Sequence, residues 1–231
     1  MADERSSSGE DIKGKASESV RSGVDIRARM HDLTLEALRS RRFDREGIRE
    51  AVRAVAEGAA LGASQSRSDL RQALGDAFRG MDGALTGAAE AARTALNQMV
   101  ASGRDFSDSE LKGALASLRK LEDDFLSTVG HVADAASEKV APEMRRILHE
   151  ARVSGTETGR RVSSTMTEIA ERLSVASIDI ALAGVAAATE IGSRFALMAS
   201  GVLAGMADVL QKTEPPKKDQ PKKNPPKQDR P

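Results

Sequence analysis

Residues 147–206 read ILHEARVSGTETGRRVSSTMTEIAERLSVASIDIALAGVAAATEIGSRFALMASGVLAGM, and small or apolar residues recur in this stretch every eleven positions. Eleven residues make three helical turns at 3.67 residues per turn, so the recurring positions stay on one side of a straight helix. The only proline before this stretch is Pro142, and none follows before Gln211. Because proline is the residue that most reliably ends a helix, the sequence predicts one unbroken amphipathic helix over residues 142–211.

The recurring side chains form what we call the seam, the face of this helix that is expected to pack. It consists of Ile147, Ala151, Gly159, Val162, Ile169, Leu173, Ile180, Gly184, Ile191, Gly192, Phe195, Val202 and Met206. A glycine in a helix interior costs about 1 kcal/mol relative to alanine. Glycines on the seam offset that cost where they let another backbone come close, so we expect the seam to pack against other helices.

The rest of the chain is also predicted to be helical, because no alternation of β-branched and polar residues is bounded by turn signals. Asp44 and Ser107 are typical N-cap residues, and a further N-cap signal at Ser66–Asp69 predicts a break. Four parts are expected along the chain: a flexible leader with a short helix (1–22), a helical hairpin-like region (23–141), the long amphipathic helix (142–211) and a disordered Lys/Pro-rich tail (212–231).

Composition favours small side chains in the core. The chain has 37 alanines, five phenylalanines and no tryptophan or tyrosine. Large aromatic side chains bury the most apolar area per residue, so their scarcity predicts a thin core. The fold class expected is therefore all-α, with long amphipathic helices in an elongated helical bundle or a coiled-coil-like arrangement.

The charges are balanced overall and unbalanced at the tail. Lys+Arg and Asp+Glu both number 35, whereas from Lys212 onward there are seven basic and three acidic residues, which gives a net charge of +4. Such a tail predicts an anionic partner, either nucleic acid or lipid. The candidate anion-binding side chains are Lys217, Lys218, Lys222, Lys223 and Lys227.

Catalytic and metal-binding patterns are missing from the sequence. It contains no phosphate-binding glycine loop, no nucleophile elbow and no His-Glu-x-x-His motif, and its three histidines have no ligand partner at helical spacing. The adjacent Asp123 and Asp124, and the basic cluster Arg39, Arg41, Arg42 and Arg45, are equally well explained as solvated or helix-end charges. We therefore expect no enzyme activity, no cofactor and no metal.

The sequence also gives an expected location. The first fifteen residues have no apolar signal-peptide core, no run of 18 uncharged apolar residues occurs, and cysteine is absent. These features predict a cytoplasmic protein.

Four pairs of glycines are spaced four residues apart, as in small-xxx-small helix packing: Gly58/Gly62, Gly83/Gly87, Gly155/Gly159 and Gly201/Gly205. With 19 glycines in the chain, chance spacing explains these pairs equally well.

Several strings are similar to a known family: DIRAR (25–29), LTLEALRSRRFD (33–44), GRDFSDSELK (103–112), LRKLEDDFL (118–126) and ASGVLAGMADVL (199–210). Over about residues 20–210 the chain resembles a proteobacterial family of helical proteins of unknown function. It resembles phasins more loosely and in style alone. Phasins are helical proteins that coat polyhydroxyalkanoate granules, and some have basic tails that contact DNA.

Three functions remain open at this point. A self-associating scaffold, and hence a homo-oligomer, explains the glycines on the seam. A phasin-like coat of granules or membrane surfaces explains the repeat, although the seam often has alanine or glycine where a lipid-seeking helix has larger side chains. A nucleoid-associated protein would use the basic tail. The scaffold is the reading that the sequence favours.

Overall fold

The computed structural model describes residues 2–41, 44–66, 69–102, 108–175, 199 and 201–203. Within these ranges every regular element is an α-helix and no strand occurs, so the predicted all-α class is confirmed. The helices are α1 (Ala2–Ser22), α2 (Ile26–Arg39), α3 (Arg45–Gln65), α4 (Leu70–Ser102), α5 (Asp108–Arg119), α6 (Leu121–Ala135), α7 (Ala141–Ser154) and α8 (Glu157–Val175).

Local capping signals set the helix starts. The Asp44 carboxylate accepts a hydrogen bond from the Gly47 amide at 2.8 Å, which caps α3 as predicted. Asp69 accepts from the Arg71 amide at 2.9 Å and starts α4, so the predicted break before α4 is confirmed. Pro142 lies in the first turn of α7, where its missing N–H has no helical acceptor to lose.

Helices α3 and α4 lie at the centre of the bundle. Helix α3 packs against α1, α2, α4 and α6, while α4 packs against α2, α3, α7 and α8. Alanine supplies much of the core, with fully buried examples along both helices, and Phe78 of α4 meets Phe125 of α6 at a centroid distance of 5.0 Å. The core is therefore built largely from small side chains, as the composition predicts.

Helix α1 corrects the expectation of a flexible leader. Its residues Ile12, Ala16 and Val20 are almost completely buried against the core. A Cβ atom added at Gly58 or Gly62 of α3 would overlap the backbone carbonyl oxygen of Lys13 or Ser17, respectively. The missing side chains on α3 therefore let α1 lie directly on its backbone, and this glycine pair does serve helix packing.

The region that follows the predicted N-cap Ser107 forms two helices, because α5 and α6 are divided at Lys120 and α6 ends at Ala135. Ser107 itself lies outside the described residues. The helix expected to be unbroken after Pro142 ends at Ser154. It is interrupted by Gly155, whose φ of 76° lies in the left-handed region that side chains disfavour.

Candidate functional site

The described part of the seam faces the bundle. Val162 and Ile169 of α8 are buried, and Ile147, Ala151 and Val202 are partly buried against the same core. Gly159 lies beneath the carboxylate of Glu122 from α6, which would overlap any Cβ at that position. Seam positions that lie outside the described side chains are Leu173, Ile180, Gly184, Ile191, Gly192, Phe195 and Met206.

Helix α8 packs mainly on α4, with further contacts to α5 and α6. Since these helices belong to the same chain, the seam up to Ile169 is covered within the molecule. The described seam positions thus pack against the bundle, but Ile147 and Ala151 lie on α7, Gly159, Val162 and Ile169 on α8, and Val202 in residues 201–203.

The start of α8 is held by a group of polar side chains that we call the α8 junction: the buried Asp82, Thr156 and Thr158 and the partly exposed Glu122. Thr156 caps the helix, because its hydroxyl accepts from the Gly159 amide at 2.8 Å. The same hydroxyl donates to Glu122 at 2.6 Å. The junction therefore joins α8 to α6.

Asp82 joins the same junction to the middle of α4. Its carboxylate accepts from the amides of Glu157 and Thr158 at 2.9 and 3.0 Å. The Thr158 hydroxyl donates to the Asp82 carbonyl oxygen at 3.0 Å. These amides are in the first turn of α8, where the helix dipole favours negative charge. The hydrogen bonds explain how a carboxylate that is only 7% exposed can be accommodated.

Asp82 begins a longer row of polar residues along α4, which we call the α4 stripe: Asp82, Thr86, Glu90, Arg93 and Asn97. Their spacing of three or four residues puts them on one helical face. Opposite them, α8 places Arg161 3.6 Å from Glu90, and Arg93 donates to Glu168 at 3.1 Å. The contact between α4 and α8 is thus partly a polar one.

This polar contact is incompletely satisfied. Thr165 Oγ1 of α8 and Asn97 Oδ1, further along the α4 stripe, are buried without a hydrogen-bond partner. A buried polar atom left unsatisfied costs about 1–3 kcal/mol. The contact between α4 and α8 is therefore less stabilising than its extent suggests.

A second buried charge joins α3 to α6. Asp124, 5% exposed, accepts from Arg45 at 2.7 and 2.9 Å and from Arg49 at 2.7 Å. The hydrogen bond to Asp124 raises the pKa of the Arg45 guanidinium above its ordinary value. Asp123, its neighbour, is exposed. The two carboxylates therefore do not act as a pair, and the role of Asp124 is to join α6 to α3.

Two of the four arginines in the basic cluster noted in the sequence are held by contacts within the chain. Arg41 donates to the Ala37 carbonyl oxygen at 2.9 Å and lies 3.5 Å from Glu50, while Arg45 is held by Asp124. Arg39 is partly buried, and its Nε has no hydrogen-bond partner. Arg42 lies outside the described residues. The helix-end explanation of this cluster accounts for Arg41, which follows α2, whereas Arg45 lies in the first turn of α3 and is held by Asp124.

A surface depression of about 710 Å³ lies between α1, α3 and α6. Its walls include Lys13, Arg53, Leu61, His131 and Val132. Lys13 is already paired with Glu57 at 3.0 Å, and this hydrogen bond raises its pKa. The depression is therefore a shallow, mixed surface, with Leu61 44% exposed at its edge.

Within the described ranges, no three metal-ligating side chains lie together and no helix is sufficiently long and apolar to cross a membrane. His31 contacts Asp32 at 3.0 Å, and His131 and His149 are exposed. All five candidate lysines of the tail lie outside the described residues.

The α8 junction and the α4 stripe were not identified in the sequence. A signal was present, because five polar residues recur at helical spacing in the otherwise alanine-, glycine- and leucine-rich α4. Spacing alone would have placed them on one face, but not on a buried one.

Comparison with known families gives one match. A family model described as "Family of unknown function (DUF6781)" matches residues 2–212. No curated protein and no solved structure matches the chain. The matched range contains every described helix and the stretch in which the sequence resembles a helical family of unknown function.

Proposed function

Since the chain belongs to the DUF6781 family, whose function is unknown, we propose from its geometry that it is a non-enzymatic helical interaction protein that self-associates as a scaffold. The observation that carries this proposal is that the seam faces other helices. Wherever the seam is described, it meets helices, as in the burial of Val162 and Ile169. The same repeat continues in the sequence from Ile180 to Met206, and we expect these positions to meet helices as well.

The character of the α8 contact favours protein over lipid as the partner. The face of α8 that carries the seam also places Thr158, Arg161 and Glu168 in polar contacts with α4. An apolar lipid surface offers no hydrogen-bond partners for such groups, whereas a helix with matching polar residues does. A second copy of the chain carries such a helix.

The surface of the described bundle points to the same partner. Its exposed large apolar side chains are Val24, Leu61 and Val153, which are scattered over α1–α2, α3 and α7. Isolated apolar residues are ordinary on a soluble surface and do not form a large docking patch. Self-association is therefore expected to use the seam instead of the outer faces of the bundle.

The proposal is tested by the solution mass of the full-length protein. Sedimentation velocity across a range of concentrations should give a discrete species at a multiple of 24.5 kDa. Ile191→Asp should shift this species toward the monomer, because it puts a charge on the seam. The matched control is Ser193→Asp, which adds the same charge at a position outside the seam. The eleven-residue repeat relates Ser193 to His149, Arg160 and Glu171, so the change should leave the mass unchanged.

Other outcomes would favour the competing functions. A monomer at every concentration overturns self-association. Flotation of the protein with phosphatidylcholine vesicles supports a phasin-like coat of granules or membranes instead. Salt-sensitive binding to duplex DNA that is lost on deletion from Lys212 onward supports a nucleoid-associated role for the tail.

A further inference from the structure

The connection between α7 and α8 is short, and its first residue, Gly155, is exposed, whereas Thr156 is buried in the α8 junction. The connection comprises these two residues, with Gly155 at φ 76° and ψ 156°. A Cβ added at Gly155 would meet nothing within 4 Å, and the preceding Val153 is 73% exposed. Because glycine adopts both positive and negative φ readily, this position can change the direction of α8 without disturbing a packed neighbour.

Apart from the cap Thr156, which directly precedes α8, the groups that hold α8 come from other helices. Asp82 and the rest of the α4 stripe are contributed by α4, and Glu122 is contributed by α6. None of these contacts depends on α7 and α8 belonging to the same molecule. A second copy of α8 would find the same carboxylates at its first turn and the same charges opposite Arg161 and Glu168.

The contact between α4 and α8 also has the composition of an exchangeable interface. Val162 and Ile169 are its described buried apolar side chains on α8, and Thr165 is buried there without a hydrogen bond. Interfaces that form and separate are more polar than permanent ones. Exchange of an identical element between copies is a low-cost route to a dimer, since every native contact is kept.

We propose that the chain self-associates by exchanging α8 about Gly155, so that α8 of one copy lies on the α4 stripe of a second copy. This mechanism rests on the self-association proposed above and names its partner, a second copy of the same chain. The α8 junction then forms between copies, with Asp82 and Glu122 of one copy capping α8 of the other.

The absence of cysteine from the chain permits a direct test. The hydroxyl oxygens of Thr86 on α4 and Thr158 on α8 are 3.4 Å apart, so cysteines at these two positions are placed to form a disulfide. Full-length Thr86→Cys is co-expressed with a tagged, full-length Thr158→Cys. A disulfide between the two single variants requires α8 of one copy to reach α4 of the other.

The expected result is a covalent heterodimer on a non-reducing gel, with a yield at least tenfold above that of a control pair. The control combines Thr158→Cys with Gln72→Cys, which is exposed and lies about 20 Å from Thr86 along α4. The control measures random collision between thiols, because both variants carry one cysteine and differ only in its position.

The double variant Thr86→Cys/Thr158→Cys separates the two proposals when its mass is measured before and after denaturation. An oligomer that stays a covalent dimer in denaturant supports the exchange. An oligomer that becomes disulfide-closed monomers in denaturant overturns the exchange and leaves self-association standing. A protein that is monomeric before denaturation overturns both.

Discussion

The contact between α1 and α3 and the contact between α4 and α8 differ in what lies between the helices. At the first, Gly58 and Gly62 remove side chains from the interface, so the backbone of α1 rests on α3 beside buried Ile12 and Val20. At the second, polar side chains fill the space and some remain unsatisfied. The first contact is close-packed and apolar, and the second depends on charge and capping.

This difference teaches that two helix contacts within one bundle of small residues can be sensitive to opposite kinds of substitution. A close-packed interface loses stability when any atom is added, because neighbouring backbone cannot move aside. A polar interface instead loses stability when a single partner is removed, and it can re-form with an equivalent partner. We therefore expect α1 to be permanent in the fold and α8 to be separable from it.

The largest effect is expected at the α1–α3 contact. Gly62→Ala should lower the free energy of unfolding by about 3 kcal/mol, since the new Cβ overlaps the Ser17 carbonyl oxygen. Urea denaturation followed by circular dichroism measures this change. In Gly14→Ala, the added Cβ meets nothing within 4 Å, so this control should gain about 0.5–1 kcal/mol from helix propensity. Equal effects of the two changes would contradict close packing at Gly62.

A smaller effect is expected at the α8 junction. Asp82→Asn should cost about 1–2 kcal/mol, because an amide can no longer accept hydrogen bonds from both first-turn amides of α8. Hydrogen exchange should speed up at Glu157 and Thr158 and stay unchanged in α3. The control Asp76→Asn, whose carboxylate pairs with Arg79 of the same helix at 2.7 Å, should change stability by less than about 0.5 kcal/mol, because such i,i+3 pairs contribute little. Uniform acceleration throughout the bundle would mean that α8 is not a separable element.

The smallest effect has the opposite sign. Thr165→Val replaces a buried hydroxyl that has no hydrogen-bond partner by a methyl group of similar shape. The free energy of unfolding should rise by about 0.5–1 kcal/mol, because a desolvated polar atom is removed. Thr167→Val serves as the control, since the Thr167 hydroxyl is exposed and donates to the Ser163 carbonyl oxygen at 3.1 Å. Destabilisation by Thr165→Val would indicate that its hydroxyl has a bonding partner.

Local signals in the sequence predicted local structure well. Asp44 caps α3, and the break at Ser66–Asp69 occurs, because an N-cap needs only a side chain and an amide a few residues away. The all-α class followed from the same kind of evidence, summed over the chain. These features depend little on the tertiary fold.

Features that depend on distant partners were missed. Helix α1 was predicted to be a flexible leader because it has few apolar residues. Its burial depends on Gly58 and Gly62, which lie more than thirty residues later in the chain. The interruption at Gly155 was missed because glycine also fits the seam as a small residue, so the eleven-residue repeat continues across it. For Asp82, the sequence showed a helical carboxylate, but not the amides of α8 that make its burial acceptable.

The position of α8 along the chain also affects how the bundle assembles during translation. Helix α4 ends at residue 102 and α8 at residue 175, so 73 more residues must be added before α8 is complete. At typical synthesis rates this takes roughly 4–15 s, which is long compared with the folding time of most small helical domains. During that interval α1 and α3 can already pack together, while the polar face of α4 has no α8 to pack against. On a messenger with several ribosomes, the helix that arrives first need not come from the same chain.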